Sequence, residues 1–286
     1  MEEQGLKIEN KTLYGPTERL YLRLSLIQDL IKKEILDSGY VHIDETTGKL
    51  LQSKTNGYIR AITNSKGAYF QYETTRSGKV AREILYGYEG EIISDGFSGY
   101  NQFNHVDSKI NQANCWSHVR RKFFDCHDRY PEATEFLELV SKLYRIEHEA
   151  HSFDQLKGLR DTKSRKVIDE IKSWLEYHER KSVQRTSFNK AIWYTKKLWK
   201  GLTLFLEDPL IPLDNNAAER VLRNPVKGRD NYNGYRTING ADVAMFFYTI
   251  IESCKKLGIN PRKYFRDVVS RENMITPYQY AIALRK

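Results

Sequence analysis

The sequence has few cysteines and lacks a long apolar run. Its 286 residues include three cysteines, Cys115, Cys126 and Cys254, without a C-x-x-C pair or a disulfide-like spacing. This usage favours a reducing compartment. The longest apolar run, residues 243–251, is too short to span a bilayer, and the polar start MEEQGLKIEN does not resemble a signal peptide. We therefore expect a soluble cytoplasmic protein without a membrane partner.

Several patterns of catalytic and ligand-binding sites are also missing. The sequence has no glycine-rich phosphate loop, and Ser98 in GFSGY lacks the G-x-S-x-G order of a hydrolase elbow. The cysteines and histidines of residues 115–127 have the spacing C-x2-H-x7-C-H, which matches no usual zinc ligand set. A serine hydrolase and a zinc protein are therefore disfavoured.

What the chain does have is an excess of positive charge and enough apolar residues for a core. It contains 46 basic and 37 acidic residues, with a net charge of +9 and a pI near 9.2. Hydrophobic residues make up 40% and aromatic residues 12%, as in a globular protein. The charge favours a polyanionic partner such as DNA.

Strand and helix patterns alternate in the first 117 residues. Residues 16–37 have the apolar spacing of an amphipathic helix that begins near Pro16 and Thr17. Three short segments rich in β-branched and aromatic residues follow, YVHIDETTGKLLQ, NGYIRAIT and GAYFQYET, joined by turns as hairpins. A helix over 77–86, the strand EIIS and a strand over 110–116 come next. We predict an α/β fold with a mixed five-stranded sheet flanked by helices.

From Ser117 to Glu207 the pattern is helical throughout, which predicts an all-helical insertion into the α/β part. An apolar helix over 241–257 and a last helix, PRKYFRDVV, close the chain. The predicted organisation comprises a helical segment 1–39, a first core part 40–117, the insertion 118–208 and a final core part 209–286.

Two acids stand within or at the end of predicted strands. Asp44 is in mid-strand, where a covered carboxylate needs a partner, a metal or a proton; the alternative is a position at a sheet edge or a pair with Arg60. Asp95 follows EIIS at the end of a strand, where open α/β sheets bind ligands. The alternative for Asp95 is an ordinary Asp-Gly turn.

A third acid, Glu219, stands in the predicted helix that Asp214 would cap in PLDNNAAERVLRNPVKGR. It precedes Arg223 by four residues, which also suits a solvated helical ion pair. Taken together, Asp44, Asp95 and Glu219 can meet at one edge of a sheet. Carboxylates there can hold two Mg²⁺ or Mn²⁺ ions about 4 Å apart for in-line phosphoryl transfer.

Basic residues accompany these acids, and they are candidates for contact with the DNA backbone. The first set follows Glu219: Arg220, Arg223, Lys227 and Arg229. The second set follows the last predicted strand: His118, Arg120 and Arg121. Three tryptophans of the insertion could stack on unpaired bases, although their helical spacing is more typical of a core: Trp174, Trp193 and Trp199.

With these residues in place, the sequence resembles the catalytic core of bacterial insertion sequence 66 family transposases, a branch of the DDE transposases. The matching motifs run in order: HIDETTGKL, TTRSGKVAREIL, ISDGFSGYNQF, NCWSHVRRKF, PLDNNAAERVLR, GR-x-N and TIIESCKKLGINPRKYFRDVV. The resemblance implies an RNase H-like fold with Asp44, Asp95 and Glu219 as the metal-binding triad. It also implies cleavage of transposon ends and strand transfer by a homo-oligomer on DNA, associated with the bacterial nucleoid.

Members of that family are usually longer, with N-terminal zinc-binding and helix-turn-helix segments, and a proline commonly stands where this chain has Thr47. Two alternatives therefore stay open beside the transposase hypothesis. One is a truncated, non-catalytic relative that binds DNA. The other is an RNase H-fold nuclease that acts on branched DNA or on hybrids.

Overall fold

The computed structural model describes residues 10–51, 53, 56–103, 108–271 and 273–285. The first nine residues of the predicted N-terminal segment and part of the predicted KTNG turn lie outside this range. The strands of the described residues are β1 (Tyr40–Gly48), β2 (Gly57–Asn64), β3 (Gly67–Glu73), β4 (Gly90–Ser94) and β5 (Ile110–Asn114).

Helices precede, connect and follow these strands. In the described residues the α-helices are α1 (Asn10–Leu24), α2 (Leu26–Leu36), α3 (Gly78–Ile84), α4 (Trp116–Phe124), α5 (Glu132–Glu149), α6 (Phe153–Leu159), α7 (Arg165–Lys181), α8 (Ser187–Lys197), α9 (Trp199–Thr203), α10 (Asn216–Tyr232), α11 (Ile238–Lys256), α12 (Pro261–Val269) and α13 (Pro277–Arg285). Within this part of the chain, none of them combines the length and the apolar character needed to cross a bilayer.

The strands form a mixed five-stranded sheet in the order β3-β2-β1-β4-β5, which confirms the predicted α/β class. Contacts within the chain separate two units. The first unit holds residues 1–88 and 217–286, and the second holds residues 89–216.

In the first unit, β1, β2 and β3 are antiparallel, as their hairpin turns predict. Asp44 is opposite Ala61, and Ala61 is opposite Phe70. Because directly opposite residues share a face of an antiparallel sheet, these three side chains lie on one face. A core cluster with members from the strands, α10 and α11 covers that face: Ile59, Ala61, Ala68, Phe70, Tyr72, Val221, Leu222, Tyr235, Ala241 and Met245.

Side chains of α11 and α2 bind the backbone of β3. Ser253 Oγ accepts a hydrogen bond from the Ala68 N–H at 3.0 Å and donates one to the Ala68 carbonyl at 3.0 Å. Thr249 Oγ1 accepts from the Phe70 N–H at 3.0 Å, and Gln28 Nε2 donates to the Phe70 carbonyl at 2.9 Å. A terminal strand exposes unpaired backbone groups, and these contacts satisfy them at two residues.

The N-terminal helix differs from its prediction. The sequence predicts one helix over 16–37, whereas the structure has α1 from Asn10 and a separate α2 from Leu26. Pro16 lies inside α1, although proline favours the first turn of a helix. The buried residues of α2 recur every fourth position, as the apolar spacing predicts: Ile27, Ile31 and Ile35.

The predicted last helix, α12, is not the end of the chain's helical structure, because α13 follows it. The start of α13 is a reciprocal cap. Thr276 Oγ1 accepts from the Gln279 N–H at 3.1 Å, and Gln279 Oε1 accepts from the Thr276 N–H at 3.2 Å. The spacing T-x-x-Q, with Pro277 at the first helical position, is a start signal that the prediction overlooked.

In the second unit, β4 and β5 are parallel, with Ser94 aligned with Asn114. The residues after β5 form helices α4 to α9, as predicted. Aromatic rings pack between these helices. Phe123 stacks on Phe136 with ring centroids 3.7 Å apart, and Trp174 packs against both rings.

A buried arginine connects distant parts of this helical region. Arg160 stands in a π-helical turn between α6 and α7 and is 1% exposed. Its guanidinium donates to both carboxylate oxygens of Glu147, at 2.9 and 2.6 Å. It also donates to the carbonyls of Phe205, Asp208 and Ile211, at 2.6 to 3.0 Å. Because a buried charge needs such partners, these contacts join the end of α5 to the segment after α9.

Candidate active site

Asp44 lies near the middle of β1, and its side chain is half-buried. The preceding Val41 and Ile43 are fully buried. Asp44 Oδ1 accepts a hydrogen bond from the Glu45 backbone N–H at 2.8 Å. The register places Arg60 opposite Glu45, so the Arg60 and Asp44 side chains leave opposite faces of the sheet. This geometry disfavours the alternative in which Asp44 pairs with Arg60.

Glu219 is half-buried in the first turn of α10. Leu222, three residues later, belongs to the core cluster that also contains Ala61, and Ala61 is opposite Asp44. Residues three apart lie on the same side of a helix. Glu219 therefore lies on the side of α10 that covers the Asp44 face of the sheet. The structure thus places two of the three predicted acids on the same side of the antiparallel strands.

Arg229 attaches the other end of α10 to β1. Its Nη1 donates to the Thr47 carbonyl at 2.6 Å and to Thr47 Oγ1 at 2.7 Å. From this contact, Glu219 is about 15 Å back along α10, and Asp44 is about 10 Å back along β1. The Arg229–Thr47 contact therefore helps to set the register between the helix and the strand that carry the two acids.

The four basic residues predicted on α10 differ in exposure. Arg229 is half-buried by its contact with Thr47, whereas the side chains of Arg220, Arg223 and Lys227 are exposed. The exposed three are available for phosphate contact, while Arg229 has a structural partner inside the first unit.

Asp95 directly follows β4 in the second unit and is half-buried. Its Oδ1 accepts a hydrogen bond from the Phe97 N–H at 2.8 Å. Gly96 has φ +84°, and a Cβ at this position would lie 2.8 Å from Leu198 Cδ1. Only glycine fits both conditions. Asp95 is therefore part of an Asp-Gly turn, and that turn stands at the carboxyl end of β4 where the strand pattern predicted it.

Tyr194 on α8 holds this turn. Its hydroxyl donates to the Asp95 carbonyl at 2.9 Å, and the Lys122 ammonium lies 5.7 Å from the centre of its ring. Burial, followed by the negative charge of Asp95, raises the pKa of Tyr194 to about 12, so the hydroxyl keeps the proton that it donates. The sequence analysis did not identify Tyr194. The helical pattern around it gives no sign of a contact with Asp95, which lies 99 residues earlier in the chain.

The predicted basic residues of α4 follow β5 directly. Trp116 is fully buried at the start of α4. Its backbone N–H donates to the Leu213 carbonyl at 2.9 Å, and its Nε1 donates to the Leu202 carbonyl at 2.8 Å. These bonds fix the helix start. Arg120 and Arg121 are exposed, and His118 is half-buried.

The segment before α10 is also fixed by side chains of the second unit. Asp214 Oδ1 accepts from the Asn216 N–H at 3.0 Å, so it binds the first residue of α10 as the predicted cap does. The hydroxyl of Tyr144 also bonds Asp214, and burial together with this carboxylate raises the pKa of Tyr144. Cys115 Sγ accepts from the Asn215 N–H at 3.2 Å. The helix that carries Glu219 therefore begins at a well-bonded segment.

Comparison with known proteins identifies the family. A family model described as Transposase IS66 family matches residues 1–243 of this chain. The chain belongs to this family. The matched range contains Asp44, Asp95 and Glu219 and all the basic residues predicted to contact DNA, and it confirms the resemblance that the ordered motifs predicted.

Curated relatives of this IS66 family member come from Sinorhizobium fredii (strain NBRC 101917 / NGR234). The uncharacterized protein y4hP is 29% identical over 94% of this chain and 54% of its own length. The uncharacterized protein y4jD is 28% identical over 70% of this chain and 41% of its own length. The uncharacterized protein y4qI is 24% identical over 93% of this chain and 54% of its own length. The chain thus spans about half the length of the curated relatives it matches.

The donor chemistry of the three acids fits the ions that the IS66 transposase resemblance implies. Asp44, Asp95 and Glu219 offer carboxylate oxygens, the donors that Mg²⁺ and Mn²⁺ prefer. Within the residues that the structure describes, however, no three His, Cys, Asp or Glu side chains are grouped so that they could hold a metal ion. Burial raises the pKa of Cys115 to about 12.

The three tryptophans of the helical region of this IS66 transposase family member have different surroundings. Trp174 packs among phenylalanine rings, and its Nε1 donates to Glu135 at 2.9 Å. Trp199 packs edge-on against Trp116. Trp193 is 63% exposed. The core interpretation therefore holds for two of them, and Trp193 alone of the three offers an open ring face.

Proposed function

We propose that this chain is the catalytic part of a DDE-type DNA transposase with an RNase H-like fold. It cleaves DNA strands at the ends of an insertion sequence and transfers them to target DNA. Family membership supports the transposase role. The observation that carries the catalytic assignment is the placement of Asp44 and Glu219 on the same side of the antiparallel strands, with Asp95 at the end of β4.

In this proposal Asp44, Asp95 and Glu219 together hold divalent metal ions. When bound, Mg²⁺ or Mn²⁺ activates water or a 3′-hydroxyl as the nucleophile and stabilises the leaving oxygen of phosphoryl transfer. The chain's own residues keep the carboxylates in place. Tyr194 binds the backbone of Asp95, and Arg229 secures the helix that carries Glu219 to β1.

Exposed cations supply the contact with DNA. Arg220, Arg223 and Lys227 follow Glu219 on α10, and Arg120 and Arg121 lie on α4. Each neutralised phosphate adds affinity that falls with rising salt. His118 is a further candidate on α4, and we propose that the protein acts as a homo-oligomer on DNA.

The test is strand nicking and strand transfer on DNA that carries the terminal repeats of the insertion sequence, with Mg²⁺ or Mn²⁺. Asp95→Asn should lower the metal-dependent rate by at least about 100-fold, since losing even a residue behind a metal ligand costs 10- to 100-fold. Binding of the same DNA without metal should persist. Asp128→Asn is the matched control, because that carboxylate is 96% exposed. Nicking that survives Asp95→Asn would contradict the proposed triad.

A second candidate is a DNA-binding protein without catalytic activity. Salt-sensitive DNA binding by the parent chain with no metal-dependent nicking would support it. A panel that adds branched DNA and RNA–DNA hybrids distinguishes both from an RNase H-fold nuclease.

A further inference from the structure

Helices α10 and α11 pack side by side in the first unit, and Asn224 Nδ2 on α10 donates to Glu252 Oε1 on α11 at 2.8 Å. One turn further along α10, Gly228 faces Tyr248, and a Cβ at Gly228 would lie 2.3 Å from the Tyr248 hydroxyl. These pairs show that the two helices run antiparallel and that glycine makes room for a tyrosine ring. We call this surface the α10–α11 groove.

One end of the α10–α11 groove contains a cavity of about 460 Å³, within the range of about 300–1,000 Å³ for small-ligand sites. The cavity is lined by apolar and aromatic side chains: Tyr232, Tyr235, Ala244, Phe247, Tyr248 and Ile251. The Tyr232 hydroxyl lies 2.8 Å from that of Tyr235 and 3.5 Å from that of Tyr248, and Tyr232 is 40% exposed. The exposed wall of the cavity is therefore almost entirely apolar, and the three tyrosine hydroxyls bond to one another.

These hydroxyl groups stay protonated under ordinary conditions. Burial raises the pKa of Tyr235 to about 12 and also raises the pKa of Tyr232 and of Tyr248. Each hydroxyl can therefore donate or accept a hydrogen bond at neutral pH.

The other end of the α10–α11 groove is positively charged. Arg220 and Lys256 are exposed there, and partial burial of the Lys256 ammonium and the charge of Arg220 both lower the pKa of Lys256. Two neighbouring like charges favour an anion between them. The acid of the groove, Glu252, is paired with Lys255 at 2.9 Å. From Arg220 to Tyr232 the distance along α10 is about 18 Å.

We propose that the α10–α11 groove binds unpaired nucleotides of DNA, with a base in the tyrosine cavity and phosphates at Arg220 and Lys256. Aromatic faces beside cations are the features by which proteins hold single strands. A base within a duplex is stacked and cannot enter such a cavity. A protein partner would need carboxylates of its own at Arg220 and Lys256, because burying these cations unpaired is costly. The inference rests on the proposed function for its choice of DNA as the ligand.

The test is binding of the full chain to a single-stranded oligonucleotide that contains 2-aminopurine, without divalent ions. Tyr232→Ala should weaken single-strand binding about tenfold and remove the fluorescence quenching that stacking causes. Tyr232→Phe, which keeps the ring, should remain close to the parent. Lys256→Gln should lower the slope of log affinity against log salt by about 0.7. Two matched controls should bind like the parent. One is Tyr86→Ala, since Tyr86 is an 88% exposed tyrosine elsewhere in the first unit. The other is Arg262→Gln on α12.

The outcomes separate this inference from the proposed function. Circular dichroism first confirms that each variant folds, and the salt slope of Lys256→Gln keeps the test decisive if Tyr232→Ala does not fold. Parent-like binding and quenching by Tyr232→Ala would overturn the groove assignment, as would a parent chain that binds duplex but not single strands. A change of oligomeric state in Tyr232→Ala with unchanged DNA binding would also overturn it and assign the surface to contacts between copies. Binding to neither form of DNA by the parent would overturn the proposed function as well.

Discussion

In the first unit, the backbone of β3 is bound by three neutral side chains, those of Ser253, Thr249 and Gln28. In the second unit, the carbonyls after α9 are bound by the charged guanidinium of Arg160. A neutral hydrogen bond contributes about 0.5–1.5 kcal/mol. A buried charge is costly unless every partner is present. The two units therefore differ in how much of their stability depends on a single side chain.

The acids show the same contrast. Asp44 and Glu219 are placed by strand register and by the apolar side of α10, which are regular features of secondary structure. The backbone of Asp95 is held by Tyr194, which lies on a helix 99 residues later in the sequence. The helical region thus does more than extend the fold, because it supplies a contact to the turn that carries a predicted catalytic residue.

Replacing the buried guanidinium tests this contrast most strongly. Arg160→Met should lower the free energy of unfolding by about 3–5 kcal/mol, because Glu147 and three carbonyls lose their partner. Urea unfolding followed by circular dichroism measures the change. Arg165→Met is the matched control, since its guanidinium is 43% exposed and pairs with Asp161 and Glu207; it should cost less than about 1 kcal/mol. Equal losses for both variants would show that the burial of the Arg160 guanidinium is not what stabilises the second unit.

The corresponding test in the first unit is Ser253→Ala. It leaves the buried N–H and carbonyl of Ala68 without their side-chain partner, so we expect a loss of about 1–3 kcal/mol in the free energy of unfolding. The exposed Ser270→Ala serves as the control and should change it by less than about 0.5 kcal/mol. Hydrogen exchange should show faster exchange at β3. A loss for Ser253→Ala as large as that for Arg160→Met would contradict the comparison.

The smallest expected effect belongs to Tyr194→Phe, which removes the bond to the Asp95 carbonyl and should cost about 0.5–1.5 kcal/mol. The pKa of Tyr194 is raised from 10.0 to about 12, so its contribution is complete below pH 10 and is lost as the pH rises towards 12. The difference between parent and variant in urea unfolding should therefore shrink across that interval. The control Tyr86→Phe should show no such trend, and a constant difference from pH 8 to 12 would refute the assignment.

Much of the fold could be predicted, because the patterns involved are local. Alternating and β-branched residues with turn residues between them predicted β1 to β5, and apolar spacing predicted most helices. Two predictions of helix boundaries were wrong, for opposite reasons. Pro16 suggested a helix start, but α1 continues through it. The cap formed by Thr276 and Gln279 marks the start of α13. This helix was not predicted, because the apolar periodicity of its sequence is weak.

The candidate site could be predicted only as a set of residue types. The motifs identified Asp44, Asp95 and Glu219 as candidates, and they also suggested Arg229 as a phosphate contact. That Arg229 binds Thr47 depends on the packing of α10 against β1, which no local pattern encodes. The role of Tyr194 depends likewise on tertiary structure.

The side chains that occupy β3 have a consequence for self-assembly. An incoming polypeptide can extend a sheet only by bonding to the main chain of the outermost strand. At Ala68 and Phe70 those groups are already engaged by Ser253, Thr249 and Gln28. This edge therefore resists strand addition at Ala68 and Phe70, and with it one route to aggregation.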